Sequence, residues 1–220
     1  MLAAAGQAFR EIFTPAFRTI LFKCLGFTIA VLVLLIIAAE WSFAHFVTLP
    51  NWAEKTIEWF GALALVVGSV FLIPPVTALI AGLYLDDIAA QVEKVHYPAD
   101  PPGHELGTAI AIGISLRFFV VLVAVNLVAL FLLLIPGVNL IAFYVGNGYL
   151  LGREYFEMVV MRHLTPESAR TLRKANRVTV LLSGFVIAGL ASVPILNLTT
   201  PIFATAFMVH MFKLVRRGGA

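Results

Sequence analysis

Arg170, Arg173, Lys174 and Arg177 stand at i, i+3, i+4 and i+7, a spacing that puts four cations on one side of a helix. Such a face gathers small anions in a vestibule, or it rests on anionic lipid headgroups; headgroup contact is the simpler of the two. Arg117 stands alone between Leu116 and Phe118. A charge set in apolar sequence marks a transport pathway or a partner, or it snorkels from an interfacial segment running from Glu105 to Arg117. Two further sites follow prolines: Gly137 and Asn139 after Pro136, and Asn197 after Pro194. Free N–H groups at the start of a half-helix bind anions. An Asn in that place also does the plainer work of capping a turn. Anion handling is the chemistry these residues can do.

Catalytic patterns are thin. Ser183-Gly184 and His210 have the residue types of a hydrolase, but no flanking motif supports them. His45, His96, His104, His163 and His210 show no metal-ligand spacing, and the chain has neither a P-loop nor a GxGxxG run. No catalytic residue, metal or cofactor is expected. Gly148 and Gly152 form a small-xxx-small pair, the signature of two closely packed helices.

The elements that must carry these residues are apolar. Of the 220 residues, 61% are hydrophobic and only 12% are Asp, Glu, Lys or Arg, half the share of a soluble domain at about 25%. A chain of this size with a mean hydropathy of +0.98 cannot hide its apolar surface from water. A soluble enzyme, a disordered chain and a disulfide scaffold are excluded, and the single cysteine, Cys24, can form no intrachain bridge. The net charge of +3 reads as positive cytoplasmic loops and not as an affinity for nucleic acid.

Four tracts lack Asp, Glu, Lys and Arg: Cys24–Ala39, Trp59–Leu85, Phe118–Gly152 and Val178–Phe212, of 16, 27, 35 and 35 residues. A crossing takes about 20 residues. The first tract extends to Phe17–Phe46 if Arg18, Lys23 and Glu40 snorkel, giving one tilted helix. A cleaved signal peptide ending near Ala38-Ala39 would have a shorter apolar region, so the helix is expected to be retained. The last three tracts are interrupted at Ile73-Pro74-Pro75, Ile135-Pro136 and Val193-Pro194. Proline ends a helix, so half-helices are expected over 118–135 and 138–152, and again over 178–193 and 201–212. Ile135–Leu140 (IPGVNL) and Val193–Leu198 (VPILNL) align without gaps, a short internal repeat.

Charge sets the orientation. Residues 153–177 carry six basic groups against three acids, and Arg10, Arg18, Lys23, Lys213, Arg216 and Arg217 flank the ends. Both termini and the 153–177 segment are therefore cytoplasmic, and the acidic 40–58 loop faces outward. Each 35-residue tract must then leave and return to the same side, and it is short for a full hairpin. Partly penetrating hairpins fit, with turns buried in protein or lining a wet cavity. Short helices are expected before Thr14-Pro15 and after Thr165-Pro166, with an extended connector at 96–104, rich in Pro and Gly.

Pro74–Glu93 (PPVTALIAGLYLDDIAAQVE), Leu134–Tyr155 (LIPGVNLIAFYVGNGYLLGREY), Thr171–Thr179 (TLRKANRVT) and Val193–Pro201 (VPILNLTTP) together resemble the CysZ sulfate transporters, within the wider etoposide-induced membrane protein family. The resemblance spans nearly the whole chain. It implies two long transmembrane helices plus two re-entrant hairpins, homo-oligomers, and sulfate uptake in a bacterial inner membrane. The family's Pro-Gly-aliphatic-Arg-Arg stretch, linked to sulfate binding, falls here on Pro15-Ala16-Phe17-Arg18-Thr19. Arg18 is kept, while the glycine and the second arginine are replaced, and the central cytoplasmic region is short for the family.

The expectation is an all-α membrane protein: two long transmembrane helices, two Pro-broken, partly penetrating helical hairpins and short interfacial helices. It forms a single domain over 1–220, with cytoplasmic connectors at about 86–117 and 153–177. The expected function is an inner-membrane permease or channel for sulfate or a similar small anion, with Arg18 foremost among the anion-binding residues. The expected partners are that anion, membrane lipids and further copies of the chain, and no nucleic acid. The alternative is a non-transporting scaffold or tether with a basic cytoplasmic face.

Overall fold

A run of good helix formers from Leu2 opens the chain as α1 (Leu2–Glu11), and Thr14-Pro15 restarts it as α2 (Pro15–Phe46). The computed structural model describes residues 1–46, 80–105 and 138–218, with isolated positions between 61 and 77 and between 107 and 127. The described elements continue as α3 (Leu85–His96), α4 (Val138–Met161), α5 (Pro166–Ala175), α6 (Arg177–Ala191), α7 (Pro194–Asn197) and α8 (Thr200–Gly218). Among the described residues there is no strand.

Proline and side-chain caps set several of these starts. Pro166 occupies the first turn of α5, where its missing N–H costs nothing, and the Thr165 hydroxyl accepts the Ser168 N–H at 3.3 Å. Before α2 the Thr14 hydroxyl turns back and donates to the Glu11 carbonyl at 2.7 Å, closing the corner between α1 and α2.

α8 is the centre of the fold. Every residue from Thr200 to Lys213 is buried, because α1, α3, α4 and α6 all pack on it. α1 meets it through Ala4, Ala8 and Glu11, one face at helical spacing whose small side chains let the backbones approach. α3 contributes Ile88, Ala89, Val92 and Glu93 in the same way.

α4 and α6 pair antiparallel and close, and the glycines explain why. A Cβ on Gly184 would lie 1.8 Å from the Gly148 carbonyl oxygen, and one on Gly152 would lie 2.6 Å from that of Val180. The small-xxx-small pair is thus a backbone-to-backbone contact, as its spacing predicts. Tyr144 adds a hydroxyl bond to the Phe185 carbonyl at 2.8 Å and stacks on that ring.

α2 behaves differently. Its stretch Pro15–Ser42 is the one described helix long and apolar enough to cross a membrane, and Phe22, Phe27, Leu34, Leu35, Ile37 and Trp41 on it are exposed. An exposed apolar surface of this extent fits a helix that crosses a membrane. Its buried side rests on a second small core, Cys24 and Leu32 against Val76, Ile80 and Ala81. There the Thr28 hydroxyl donates to the Cys24 carbonyl and lies 3.2 Å from the Thr77 hydroxyl, an interhelical polar contact of the kind that holds membrane helices together.

Three expected boundaries move. The half-helix expected over 138–152 runs on to Met161, so 153–161 is helix and not connector. Only the loss of apolar character suggested a stop at Gly152, and charge does not end a helix. The half-helix at 201–212 likewise extends to Gly218. Pro194 starts a single-turn helix, α7, before α8 begins. The half-helix at 178–193 corresponds to α6. The second full crossing, the first half of the third tract and the turn at Pro136 lie largely outside the described residues.

Candidate functional site

Where the ends of α1 and α3 meet the middle of α8, the fold buries charge. Glu11 closes α1, His96 closes α3, and His210 projects from the middle of α8. The Nε2 atoms of His96 and His210 lie 2.6 and 3.0 Å from one carboxylate oxygen of Glu11. Each ring is held from behind: His96 Nδ1 lies 2.8 Å from the Gln7 amide and His210 Nδ1 2.7 Å from the Tyr97 hydroxyl. One turn further along α8, Lys213 is almost fully buried and pairs with Asp100 at 3.0 Å. The Lys213 hydrogen bond holds the Asp100 carboxyl below its usual range.

A second knot joins α3 to the end of α4. Arg162, 2% exposed, binds Asp86 through its guanidinium and lies 3.3 Å from Glu93. Glu93 also pairs with His163 at 2.8 Å and accepts the Gly103 N–H at 3.1 Å. Burial alone would push the Glu93 carboxyl up. The bonds from His163 and Gly103, with the Arg162 charge, outweigh it and hold the group at about 2, against an ordinary 4.5. The His104 N–H adds a 2.7 Å bond to the Arg162 carbonyl. The connector at 96–104 is therefore irregular, as its prolines predict, yet tied to α3, α4 and α8.

The third feature is a basic pocket at the corner of α4, α5 and α6. Tyr149 and Arg153 of α4, Arg173 of α5, and Arg177, Val180 and Leu181 of α6 line about 40 Å³ of free space. Arg173 donates to Glu157 at 2.5 Å. The buried Nε of Arg153 has no hydrogen-bond partner and stands 3.9 Å from both Glu154 and Glu157. Three arginines border this small space, and the exposed side chain of Arg177 is the one open to an approaching oxyanion.

A family model described as sulfate transporter CysZ/etoposide-induced protein 2.4 matches residues 4–201. The chain belongs to this family. No curated protein matches it in sequence. Membership and the exposed apolar surface of α2 together make it a membrane protein.

In this CysZ/etoposide-induced family member the sequence candidates fall in different places. Arg18 lies in the first turn of α2, exposed, with no side-chain partner among the described residues. Arg117 and Gly137 lie outside the described residues, as does the side chain of Asn139 in the first turn of α4. Asn197 ends α7 and does not open a half-helix; Thr200 begins α8 instead. The basic stripe is split. The chain turns 91° between α5 and α6, so Arg177 starts a new helix, and Arg173 points inward to Glu157 while Arg170 and Lys174 stay exposed. The break joins Arg173 and Arg177 to Arg153, which periodicity alone had not singled out. Its signal was present as an i, i+4 pair with Glu157. Ser183 donates to the Thr179 carbonyl and His210 is engaged with Glu11 and Tyr97, so these residues form no nucleophile–base pair with each other.

Proposed function

We propose that the chain is a bacterial inner-membrane permease or channel that passes sulfate or a similar small anion. The family match over residues 4–201 carries this reading. The corner of Arg153, Arg173 and Arg177 supports it, because a small oxyanion is favoured where several cations gather. Both termini face the cytoplasm, and two full crossings and two re-entrant hairpins form one membrane domain. The exposed side of α2 is available to lipid and to further copies of the chain.

Radiolabelled sulfate flux into proteoliposomes tests the reading directly. Flux above protein-free vesicles is expected, with phosphate and chloride as competitors; flux no greater than that of empty vesicles leaves the scaffold alternative standing. Calorimetry in detergent then separates the two anion sites. Arg18→Ala and Arg177→Ala alter exposed side chains, so neither disturbs the core. Loss of a charge-assisted bond of about 1.5–3 kcal/mol weakens sulfate binding roughly tenfold or more. A loss confined to Arg177→Ala places the site in the pocket, and a loss confined to Arg18→Ala places it at the start of α2. Unchanged binding in both sends the search to Arg117.

Topology is checked with single cysteines in a Cys24→Ser background. Asn51→Cys should react with an impermeant thiol reagent from outside spheroplasts, while Ser168→Cys and Gly219→Cys should react only after lysis. Labelling of Ser168→Cys from outside would overturn the re-entrant reading, since it requires the third tract to cross once.

A further inference from the structure

We propose that Glu11, His96 and His210 form a three-ligand site for a divalent transition-metal ion of the zinc type, clamping α1 to α3 and α8. The three residues come from the start, the middle and the end of the chain, and one ligand atom from each lies within 4.8 Å of the others. Two imidazoles and a carboxylate are a nitrogen-and-oxygen donor set that suits zinc and its neighbours.

Three observations point to a metal beyond the proximity itself. The first is the second oxygen of Glu11: Oε2 is buried without a hydrogen-bond partner, although Glu11 is only 6% exposed. A buried carboxylate oxygen left bare is costly in a structural ion pair, and an ion held by both Glu11 oxygens removes the cost. The second is the orientation of both rings. Each imidazole turns Nε2 to Glu11 and has Nδ1 fixed by a polar side chain, Gln7 for His96 and Tyr97 for His210. That is how metal-bound histidines are supported: the far nitrogen carries the proton and donates it to an outer partner, leaving the near lone pair for the ion. With the ion bound, His210 Nδ1–H donates to the Tyr97 oxygen. His96 Nδ1–H donates to the Gln7 amide oxygen after a half-turn of that amide. Binding to neutral imidazoles therefore moves each ring proton from Nε2 to Nδ1 and releases none. The third is the surrounding charge. Lys213, the next basic residue along α8, is paired with Asp100 and so is not a competing partner for Glu11.

The distances leave little to adjust. Bonds of about 2.0–2.1 Å in a tetrahedral site put the ligand atoms roughly 3.3 Å apart. The present 2.6 and 3.0 Å need to open by about 0.7 and 0.3 Å to reach it. His96, partly exposed at the end of α3, has the room.

The test uses the full chain in detergent, freed of any affinity tag and stripped with chelator, titrated with Zn²⁺ alone and separately with Co²⁺. One Zn²⁺ per chain is expected by calorimetry, with the melting temperature raised by about 5–10 °C at saturating metal. Co²⁺ should give the intense visible bands of a tetrahedral site, a readout that needs no variant. His96→Gln, at the exposed ligand, should fold and bind Zn²⁺ at least tenfold more weakly, and Glu11→Gln should abolish the cobalt bands. Wild type that binds no Zn²⁺, or variants that bind it as wild type does, would overturn the site. Sulfate flux plays no part in this readout, so the metal site and the transport reading fail independently.

Discussion

Gly184→Ala should lower the melting temperature of the detergent-solubilised chain sharply, and Gly184→Val should leave little folded protein. In an ordinary helix interior, replacing Gly by Ala stabilises by about 1 kcal/mol, because alanine loses less backbone freedom on folding. At Gly184 the sign reverses. The added Cβ would meet the Gly148 carbonyl oxygen at 1.8 Å, its carbon at 2.9 Å and the Gly152 Cα at 2.9 Å. These are backbone atoms of α4, so no rotamer change relieves the clash, and α4 and α6 must move apart along their length. Overpacking of this kind costs about 3 kcal/mol or more, and the separation would also open the corner where Arg153 of α4 faces Arg177 of α6. The control is Gly146→Ala on α4, where an added Cβ meets nothing within 4 Å and should be neutral or mildly stabilising. Equal melting of Gly184→Ala and Gly146→Ala would show that the helices are not in backbone contact.

That contact was legible because Gly148 and Gly152 are four residues apart, and small residues at that spacing have one common physical use. The starts of α2 and α5 at Pro15 and Pro166 were legible for a similar reason: proline at the first helical position removes an N–H that has no partner anyway. The bend at Asn176 was not. It carries neither Pro nor Gly, and the apolar and basic periodicities both run through it. The chain turns because the Asn176 side-chain amide donates to the Leu172 carbonyl at 3.0 Å, capping α5, while its own backbone sits outside the helical region. A short polar side chain that competes with the helix ladder is a weak signal in sequence, yet it redirects the basic stripe and brings Arg177 into the pocket with Arg153.

The buried charges were the least legible part. Glu11, His96 and His210 share no local spacing, and only the packing of three helix segments brings them together. Arg162 and Lys213 read as cytoplasmic charges that set orientation. Both are almost fully buried, because acids from the 86–100 region reach them. The positive-inside rule concerns which side of the membrane a charge lies on, and it is silent on whether the charge is then covered by protein.

Glu93→Ala should cost about 3 kcal/mol, the next largest single loss, and its pH dependence identifies the cause. Removing the carboxylate leaves Arg162 buried with Asp86 as its remaining acid, leaves His163 without its 2.8 Å partner, and frees the Gly103 N–H. Breaking one side of a buried pair is costly because the other charge stays out of water. Glu93→Gln keeps the volume and some hydrogen bonding, so it isolates the charge. The folded-state value of about 2 lies below the ordinary 4.5. The native state therefore holds the proton less tightly than the unfolded chain does, and the contribution is complete above pH 4.5. It then declines as pH falls towards 2. Melting measured from pH 7 downward should show wild type more stable than Glu93→Gln down to about pH 5. The two curves should then converge as acid protonates the carboxylate in wild type. A margin that persists unchanged at the acid end would mean that shape and hydrogen bonding at this position matter and charge does not. Convergence would mean that the Glu93 charge, held by His163, the Gly103 N–H and Arg162, is what ties α3 to the end of α4 and to the 97–104 loop.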